Sequence, residues 1–291
     1  MMGHAPPPVT RAHGAMNSRI PALSAVFAAV LSIASPGLTA SLAQTKAVPD
    51  GASVIRDAFE RYNSTWYRTL TFVQQTIQYS SGGVSDTAIW YEAYEAPLRL
   101  RIDVAPLASR TMFLFANDSQ FVFRRDTLVS AKRMIHPLLL LGFDMYFLPP
   151  QESLEKLKEL GFDVNVVHSD RWLERPVIVV GAPEGDTTSA QFWIDAERLV
   201  LVRVVMPIQG HRQEILFNRY QELADGWIAP EVVVAVDGRI VLKELYNEIC
   251  IGTTFDPAFF DPASWRTAPH WHPERSRGRG AHQDSVRSDH R

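Results

Sequence analysis

The sequence between residues 134 and 148 is MIHPLLLLGFDMYFL. This stretch interrupts a chain that otherwise contains, from residue 69 to residue 247, one short strand pattern after another, with turn residues such as Asn117-Asp118 and Asp237-Gly238 between them. Many short strands with regular turn signals predict one antiparallel sheet, curled into a sandwich or barrel. The stretch itself is too apolar for an ordinary loop, because loops run over the protein surface. We therefore interpret it as a cover over a hydrophobic concavity.

Two amphipathic helices are expected, one before the first strand and one directly after the apolar stretch. We predict the first over residues 50–67, because Asp50 can cap it and apolar residues recur on one of its faces. The second begins at Pro150, a residue suited to the first helical position, and ends at Gly161, which can adopt the left-handed closing conformation. Each helix must lie against the sheet to bury its apolar stripe.

The strand patterns differ in how many of their faces are apolar. Between residues 98 and 104 leucine, isoleucine and valine alternate with Arg99, Arg101 and Asp103, which predicts one dry face and one wet face. Residues 199–206 and 230–236 are apolar on both faces. The surplus apolar surface must meet helices, a partner or an apolar ligand.

The N-terminal segment has the features of a secretory signal peptide. Arg19 precedes an apolar stretch over residues 22–34, and Ser41-Leu42-Ala43 forms a small-x-small cleavage site. The apolar stretch is shorter than the roughly 20 residues that a membrane span requires. We predict a signal peptide over residues 1–43, with cleavage after Ala43.

The initiator is either Met1 or Met16, and in the second case residues 1–15 are a leader that is not native. The single cysteine, Cys250, allows no intramolecular disulfide and is far from the cleavage site, where an acylated cysteine would stand in a lipoprotein. We expect a protein exported to a bacterial periplasm without a lipid anchor.

The charge is distributed unevenly along the chain. Of 29 basic and 32 acidic residues, two arginines precede residue 44, and six arginines and three acids follow residue 265. Residues 44–265 therefore hold 21 basic and 29 acidic residues, a net charge of −8. This charge disfavours nucleic acid as a partner. We predict one domain over residues 44–265 and a disordered Arg- and His-rich tail over residues 266–291, which has too few apolar residues to fold.

The sequence contains none of the common catalytic or cofactor-binding motifs. There is no Gly-x-Ser-x-Gly, no phosphate-binding loop and no Gly-x-Gly-x-x-Gly. His270 and His272 have the spacing of two metal ligands but lack a third ligand in register. We therefore predict no enzymatic activity, no cofactor and no metal.

Paired carboxylates in a β-cleft could still hydrolyse sugars. Each acidic candidate lies on a strand pattern or turn and has a basic neighbour, so cross-strand charge pairing explains these residues without catalysis. The candidates are Asp103, Asp195, Glu197, Glu214, Glu231 and Glu244.

The order of these elements resembles the LolA-like proteins, the periplasmic carriers that sort outer-membrane lipoproteins. The resemblance covers residues 50–262 and includes the N-terminal helix, the first strand, an x-x-Pro corner before an arginine-bearing strand, and a leucine-rich segment where the family places its lid helices. The segments that carry it are Leu70–Gln75, Ala88–Asp103, Asn117–Phe123, Leu138–Leu141, Phe192–Arg203 and Phe255–Pro262. The long tail and the strand material between His168 and Ser189 depart from the family pattern.

The resemblance implies a mainly β protein with one strongly curved antiparallel sheet of about eleven or twelve strands. This sheet forms an unclosed half-barrel, and helices cover its concave face over an apolar cavity for acyl chains. The expected cavity lining is Leu100, Ile102, Met112, Leu114, Phe121, Phe123, Phe192, Ile194, Val202, Val204, Ile215 and Phe217. The expected lid is Leu138, Leu139, Leu141, Phe143, Tyr146 and Phe147. Arg99 and Arg101 are expected to contact a lipid head group or the lid, or to be solvated.

The leading hypothesis is thus a non-enzymatic periplasmic carrier or chaperone for a lipid or an acylated lipoprotein, with a membrane-bound donor or acceptor protein as a further partner. A second hypothesis is a periplasmic sensor or interaction domain on the same scaffold that regulates a membrane partner. A third is a hydrolase that uses the acids of the cleft. Fold alone does not decide between them.

Overall fold

The computed structural model describes residues 50–272. Within this range the chain forms one unclosed antiparallel sheet of 13 strands and a separate two-stranded hairpin. The predicted class is confirmed: the protein is mainly β, with the unclosed half-barrel of the LolA-like proteins. The predicted signal peptide over residues 1–43, the leader and most of the predicted tail lie outside the described residues.

The strands follow the chain as a series of antiparallel neighbours. They are β1 (Thr69–Ser80), β2 (Gly83–Glu95), β3 (Arg99–Val104), β4 (Thr111–Ala116), β5 (Ser119–Arg124), β6 (Thr127–Arg133), β7 (Val167–Trp172), β8 (Arg175–Val180), β9 (Gln191–Asp195), β10 (Leu201–Ile208), β11 (His211–Asn218), β12 (Gln221–Leu223), β13 (Gly226–Ile228), β14 (Glu231–Val236) and β15 (Arg239–Ile251).

The order in the large sheet is β6-β5-β4-β3-β2-β1-β15-β14-β11-β10-β9-β8-β7, and β12 pairs with β13 as the separate hairpin. The first strand of the sheet therefore pairs with the last, in the middle of the sheet. This count slightly exceeds the predicted eleven or twelve strands, because β6 was not recognised as a strand pattern in the sequence.

Three α-helices accompany the sheet: α1 (Gly51–Tyr62), α2 (Pro137–Gly142) and α3 (Pro150–Glu159). Asp50 caps α1, since its carboxylate accepts a hydrogen bond from the Ser53 N–H. Gly51 is required at the first position, because a Cβ there would lie 2.4 Å from the carbonyl oxygen of Val164. The helix is shorter than predicted and ends at Tyr62, five residues before residue 67.

The apolar interruption of the strand pattern is α2 followed by a single 3-10 turn, Asp144–Tyr146. Leu139, Leu140 and Leu141 of α2 are buried. The helix has only six residues, so it owes its stability to packing and not to its own backbone hydrogen bonds. The prediction of a helical cover at this place is therefore correct in position and in type.

The helices pack on one face of the sheet, which we call the inner face, and the largest hydrophobic core lies between them. A second core lies on the outer face, between β4, β5 and the segment after β15. That segment includes a 3-10 turn, Pro257–Phe260, and the buried side chains of Trp265 and Ala268. The packed chain thus continues to His272, beyond residue 265, where the sequence analysis placed the end of the domain.

None of the helices within residues 50–272 is long and apolar enough to cross a membrane. The thiol of Cys250, on β15, is free and exposed.

Candidate functional site

A cavity of about 130 Å³ lies between α2 and the inner face of the sheet. Its floor is formed by β1, β2, β3, β11, β14 and β15, and its roof is formed by α2 and the two residues that flank it. Most of the lining side chains are aliphatic or aromatic. They are Phe72, Gln74, Trp90, Glu92, Tyr94, Leu100, Ile102, His136, Leu138, Leu139, Phe143, Phe217, Val232, Glu244 and Tyr246.

His136 fixes the beginning of α2. Its Nδ1 accepts a hydrogen bond of 3.2 Å from the Leu139 N–H, which is the role of an N-cap residue. Burial lowers the pKa of His136 to about 4, so the imidazole is neutral at pH 7 and its Nδ1 is free to accept. The Phe115 ring packs edge-on against the imidazole, with 4.8 Å between ring centroids.

Asp144 fixes the chain just after α2. Its Oδ1 accepts two hydrogen bonds of 2.9 Å, from the Tyr94 hydroxyl on β2 and from the Leu98 N–H in the turn between β2 and β3. The residue has no exposed surface, and burial raises the pKa of Asp144 to about 7. Its second oxygen, Oδ2, has no hydrogen-bond partner among the described residues. We call this contact the Asp144 anchor.

The predicted lid residues divide between the cavity and the core. Leu138, Leu139 and Phe143 line the cavity. Leu141 and Tyr146 are buried in the main core, where the Tyr146 ring stacks on Trp66 with 4.1 Å between centroids. Phe147 packs at the margin of that core, under the guanidinium of Arg68.

The predicted lining residues lie in three places. Leu100, Ile102 and Phe217 line the cavity. Five others lie in the main inner core without lining the cavity: Phe192, Ile194, Val202, Val204 and Ile215. The remaining four lie in the outer core or against it: Met112, Leu114, Phe121 and Phe123.

The strand register explains why Met112 and Leu114 point away from the cavity. Leu114 pairs with Arg101 and Met112 pairs with Asp103, whereas Ile102 pairs with Phe113. Since successive side chains alternate between faces, Met112 and Leu114 share the outer face with Arg101. Their predicted place beside Ile102 is one residue out of phase.

Neither arginine that was expected near a head group or the lid lies at the cavity. Arg99 forms an ion pair of 3.0 Å with Glu95. Arg101 is buried on the outer face, where it binds Asp103 at 2.8 and 3.1 Å and donates to the Phe259 carbonyl. The expectation that Arg101 contacts the lid or a lipid head group, or is solvated, is corrected: later chain covers it.

Five of the six candidate catalytic acids are held by basic side chains. Asp195 and Glu197 bind Arg175, Glu214 binds Arg203 and Arg212, Glu231 binds Lys243, and Asp103 binds Arg101. Such pairs account for these acids structurally, as the sequence analysis expected. The sixth, Glu244, lines the cavity and accepts a hydrogen bond of 3.1 Å from the Tyr246 hydroxyl.

The two histidines with metal-ligand spacing, His270 and His272, are both buried in the packed part of the chain. His270 is buried, and its Nε2 lies 3.1 Å from Asp103 Oδ2, beside the Arg101 pair. In the portion of the chain from residue 50 to residue 272, no group of three or more histidine, cysteine or acidic side chains is arranged to hold a metal.

Sequence analysis missed the polar and aromatic part of the cavity wall. Gln74, Trp90 and Glu92 line the cavity, and none was proposed for it. A signal was present, because acidic or amide residues stand two positions from large aromatic ones: Phe72 and Gln74, Trp90 and Glu92, Glu244 and Tyr246. A spacing of two on a strand places both side chains on one face.

No protein-family model matches the chain, and no curated protein matches it. Solved structures do resemble it. A domain described as an outer membrane lipoprotein-sorting protein, from Vibrio parahaemolyticus, has a TM-score of 0.52 at 14% identity and covers 74% of this chain and 98% of its own. A DUF1329 family protein from Desulfovibrio piger has a TM-score of 0.51 at 12% identity, covering 74% of this chain and 97% of its own.

A LolA superfamily protein from Nitrosomonas europaea has a TM-score of 0.48 at 8% identity and covers 73% of this chain and 97% of its own. At such identities the likeness concerns the fold. The chain therefore shares its fold with the domain from Vibrio parahaemolyticus, as the resemblance to LolA-like proteins implied.

Proposed function

We propose that the protein is a non-enzymatic periplasmic carrier that binds the acyl chain of a lipid, or of a lipid-modified protein, in the cavity under α2. The observation that supports this proposal most directly is the cavity itself, which lies between a helical cover and an apolar sheet face. The likeness in fold to a domain described as an outer membrane lipoprotein-sorting protein agrees with it.

Transfer of an acyl chain from water into such a cavity is favourable by about 0.8 kcal/mol for each buried methylene. A cavity of 130 Å³ is close to the roughly 150 Å³ of an apolar cavity that holds one benzene molecule. The closed state therefore has room for a short piece of chain only. A full acyl chain requires α2 to move away from the sheet.

The proposal requires the cover to move. Helix α2 has six residues, and its attachment to the sheet includes the His136 cap at one end and the Asp144 anchor at the other. We infer that a lipid binds to a minor state in which α2 has moved, and shifts the population toward that state. The membrane-bound donor and acceptor of the cargo remain part of this proposal as partners.

Replacing Leu138 with aspartate is expected to abolish lipid binding. Leu138 lines the roof and is only partly buried, so the substitution places a charge in the cavity at limited cost to folding. We would purify residues 44–291 from a bacterial periplasm without detergent and record native mass spectra. The unsubstituted protein should carry an adduct of lipid mass, and the Leu138→Asp variant should not.

Leu128→Asp is the matched control. Leu128 is 48% exposed on β6 and does not line the cavity, so the same chemical change there should leave the adduct intact. If the unsubstituted protein shows only its bare mass and also binds neither added phospholipid nor acylated peptide, the carrier proposal is wrong. Tight lipid-independent binding to the periplasmic segment of a membrane protein would then favour a regulatory interaction domain.

A further inference from the structure

Two carboxyl groups line the otherwise apolar cavity, Glu92 on β2 and Glu244 on β15. Both lie beside β1, on opposite sides of it: Phe72 pairs with Glu92, and Thr76 pairs with Glu244. Gln74 stands between these two positions of β1 and faces the same way. The carboxyls therefore belong to one patch of the cavity floor.

The Glu92 side chain is buried and lacks a partner. It is 6% exposed, and within residues 50–272 it forms no ion pair and no side-chain hydrogen bond. Burial raises the pKa of Glu92 well above its ordinary value, and the carboxyl of Glu244 raises it further. Burial also raises the pKa of Glu244, to about 7. A buried polar group without a partner is costly, so its presence in a cavity wall points to a ligand.

Three donors close to this patch are already engaged. The Gln74 amide donates to Thr76 Oγ1 at 2.8 Å, and the Tyr246 hydroxyl donates to Glu244. The Tyr94 hydroxyl donates to Asp144. No lysine or arginine is among the lining residues of the described chain, and His136 is neutral. The patch thus offers carboxyl oxygens to whatever enters the cavity, and a cation placed beside them lowers the pKa of both groups and favours their carboxylate form.

Aromatic rings surround the same patch. Phe72, Trp90, Tyr94 and Tyr246 all line the cavity, and the Phe72 and Tyr246 centroids are 4.2 Å apart. The electron-rich faces of such rings attract ammonium groups, by about 0.5–2 kcal/mol for each favourable contact. Rings combined with carboxyls suit an organic cation, because an ammonium group beside Glu92 and Glu244 favours their ionised form and attracts it. An anion would raise the pKa of both carboxyls further and would face the electron-rich rings.

We propose that the cavity prefers an amphiphile whose apolar chain ends in an ammonium group, which Glu92, Glu244 and the surrounding aromatic rings bind, over an amphiphile that ends in a carboxylate. The apolar chain lies against Leu138, Leu139 and Phe143 of the cover. This inference rests on the proposed carrier function, since it assigns the polar contact of the same ligand.

Binding of three probes of equal chain length tests this preference: decylamine, decanol and decanoate, each below its micelle concentration. Titration calorimetry at pH 7.5 should show decylamine binding about tenfold or more tightly than decanol, a difference of roughly 1.4 kcal/mol. Decanoate should bind more weakly than decanol. In Glu92→Gln/Glu244→Gln, the affinity for decylamine should fall to that for decanol, while the affinity for decanol stays within about threefold.

Glu222→Gln, an exposed substitution on β12, is the control and should keep the preference for the amine. If the double variant does not fold, Glu244→Gln alone should reduce the preference for the amine by about half or more on a logarithmic scale. Equal affinity for amine and carboxylate overturns this inference and leaves the carrier function standing. Failure to bind any of the three probes overturns the carrier function itself.

Discussion

Replacing Asp144 with alanine is expected to lower the free energy of unfolding by roughly 2–5 kcal/mol. The substitution leaves the Tyr94 hydroxyl and the Leu98 N–H buried without the acceptor that binds both at 2.9 Å. Each unsatisfied buried donor costs about 1–3 kcal/mol. Urea unfolding at pH 6 would measure the loss. The same variant should exchange the amide protons of α2 faster, because the Asp144 anchor is one of its attachments to the sheet.

Asp144→Asn separates the loss of the anchor from the loss of a charge. Burial raises the pKa of Asp144 to about 7 from an ordinary 3.8, so its contribution to stability is fully present below pH 3.8 and is lost as the pH rises through 7. Asparagine keeps an acceptor and cannot ionise. It should therefore come close to aspartate in stability at pH 4, exceed it increasingly as the pH rises from 4 to 7, and exceed it most at pH 8.5. If asparagine is as destabilising as alanine at both values, the anchor is not the hydrogen-bonded contact described above.

Arg101→Met is expected to cost about 3–5 kcal/mol of stability. Arg101 and Asp103 are 1% and 3% exposed, and removing the guanidinium leaves a buried carboxylate whose main charge partner is gone. The double variant Arg101→Met/Asp103→Leu should recover a large part of the loss, because it buries two apolar side chains in place of a carboxylate that has lost its guanidinium partner. Thermal and urea unfolding of the unsubstituted protein, Arg101→Met, Asp103→Leu and the double variant form a double-mutant cycle.

The Arg101 variants also test where this pair acts. Because the pair lies on the outer face, the folded fraction of each variant should bind lipid with unchanged affinity. A loss of lipid binding without a loss of stability would contradict that placement and restore the expectation that Arg101 serves the cavity or its cover.

The strand pattern allowed the sheet, the helical cover and the fold family to be predicted from the sequence. Turn residues at regular intervals predict antiparallel strands by local geometry, and the apolar run at residues 134–148 has few other uses in a β protein. The resemblance to LolA-like proteins gave the curvature and the unclosed edge. The half-barrel did not follow from periodicity alone, because sandwich, barrel and half-barrel share the same strand pattern.

The inward-facing phase of each strand could not be predicted reliably. The alternation around Arg101 indicated a solvated face, but residues 255–272 fold back and cover it. This covering segment lies about 150 residues later in the sequence than Arg101, so no local pattern around Arg101 predicts it. Met112 and Leu114 were placed at the cavity for the same reason, since an outer face with its own core is as apolar as an inner one.

The carboxyls of the cavity were missed for a different reason. Glu244 was considered as a catalytic acid and Glu92 not at all, because a charged residue on a strand is most simply assigned to the solvated face. Glu92 and Glu244 depart from that assignment, and the departure is informative because polar residues that are buried against the local pattern tend to mark functional positions.

The pairing of β1 with β15 divides the sheet, along the sequence, into two arrays that are built separately. Strands β1–β6 pair only with one another, apart from β1 with β15, and β7–β11 connect to β1 only through β14 and β15. During synthesis, strands β1–β6 are complete before β15 is made, so β1 is an edge strand that still lacks its partner. The pairing of β1 with β15 brings together segments about 170 residues apart in the sequence, and this step is slow because closing so long a loop costs chain entropy. Until β15 pairs, the edges of β1 and β14 are exposed and can pair with other chains. Among the described strands β15 is the last to be made, and it joins the two half-sheets and contributes Glu244 and Tyr246 to the cavity wall. The cavity therefore forms only after most of the described chain has been synthesised.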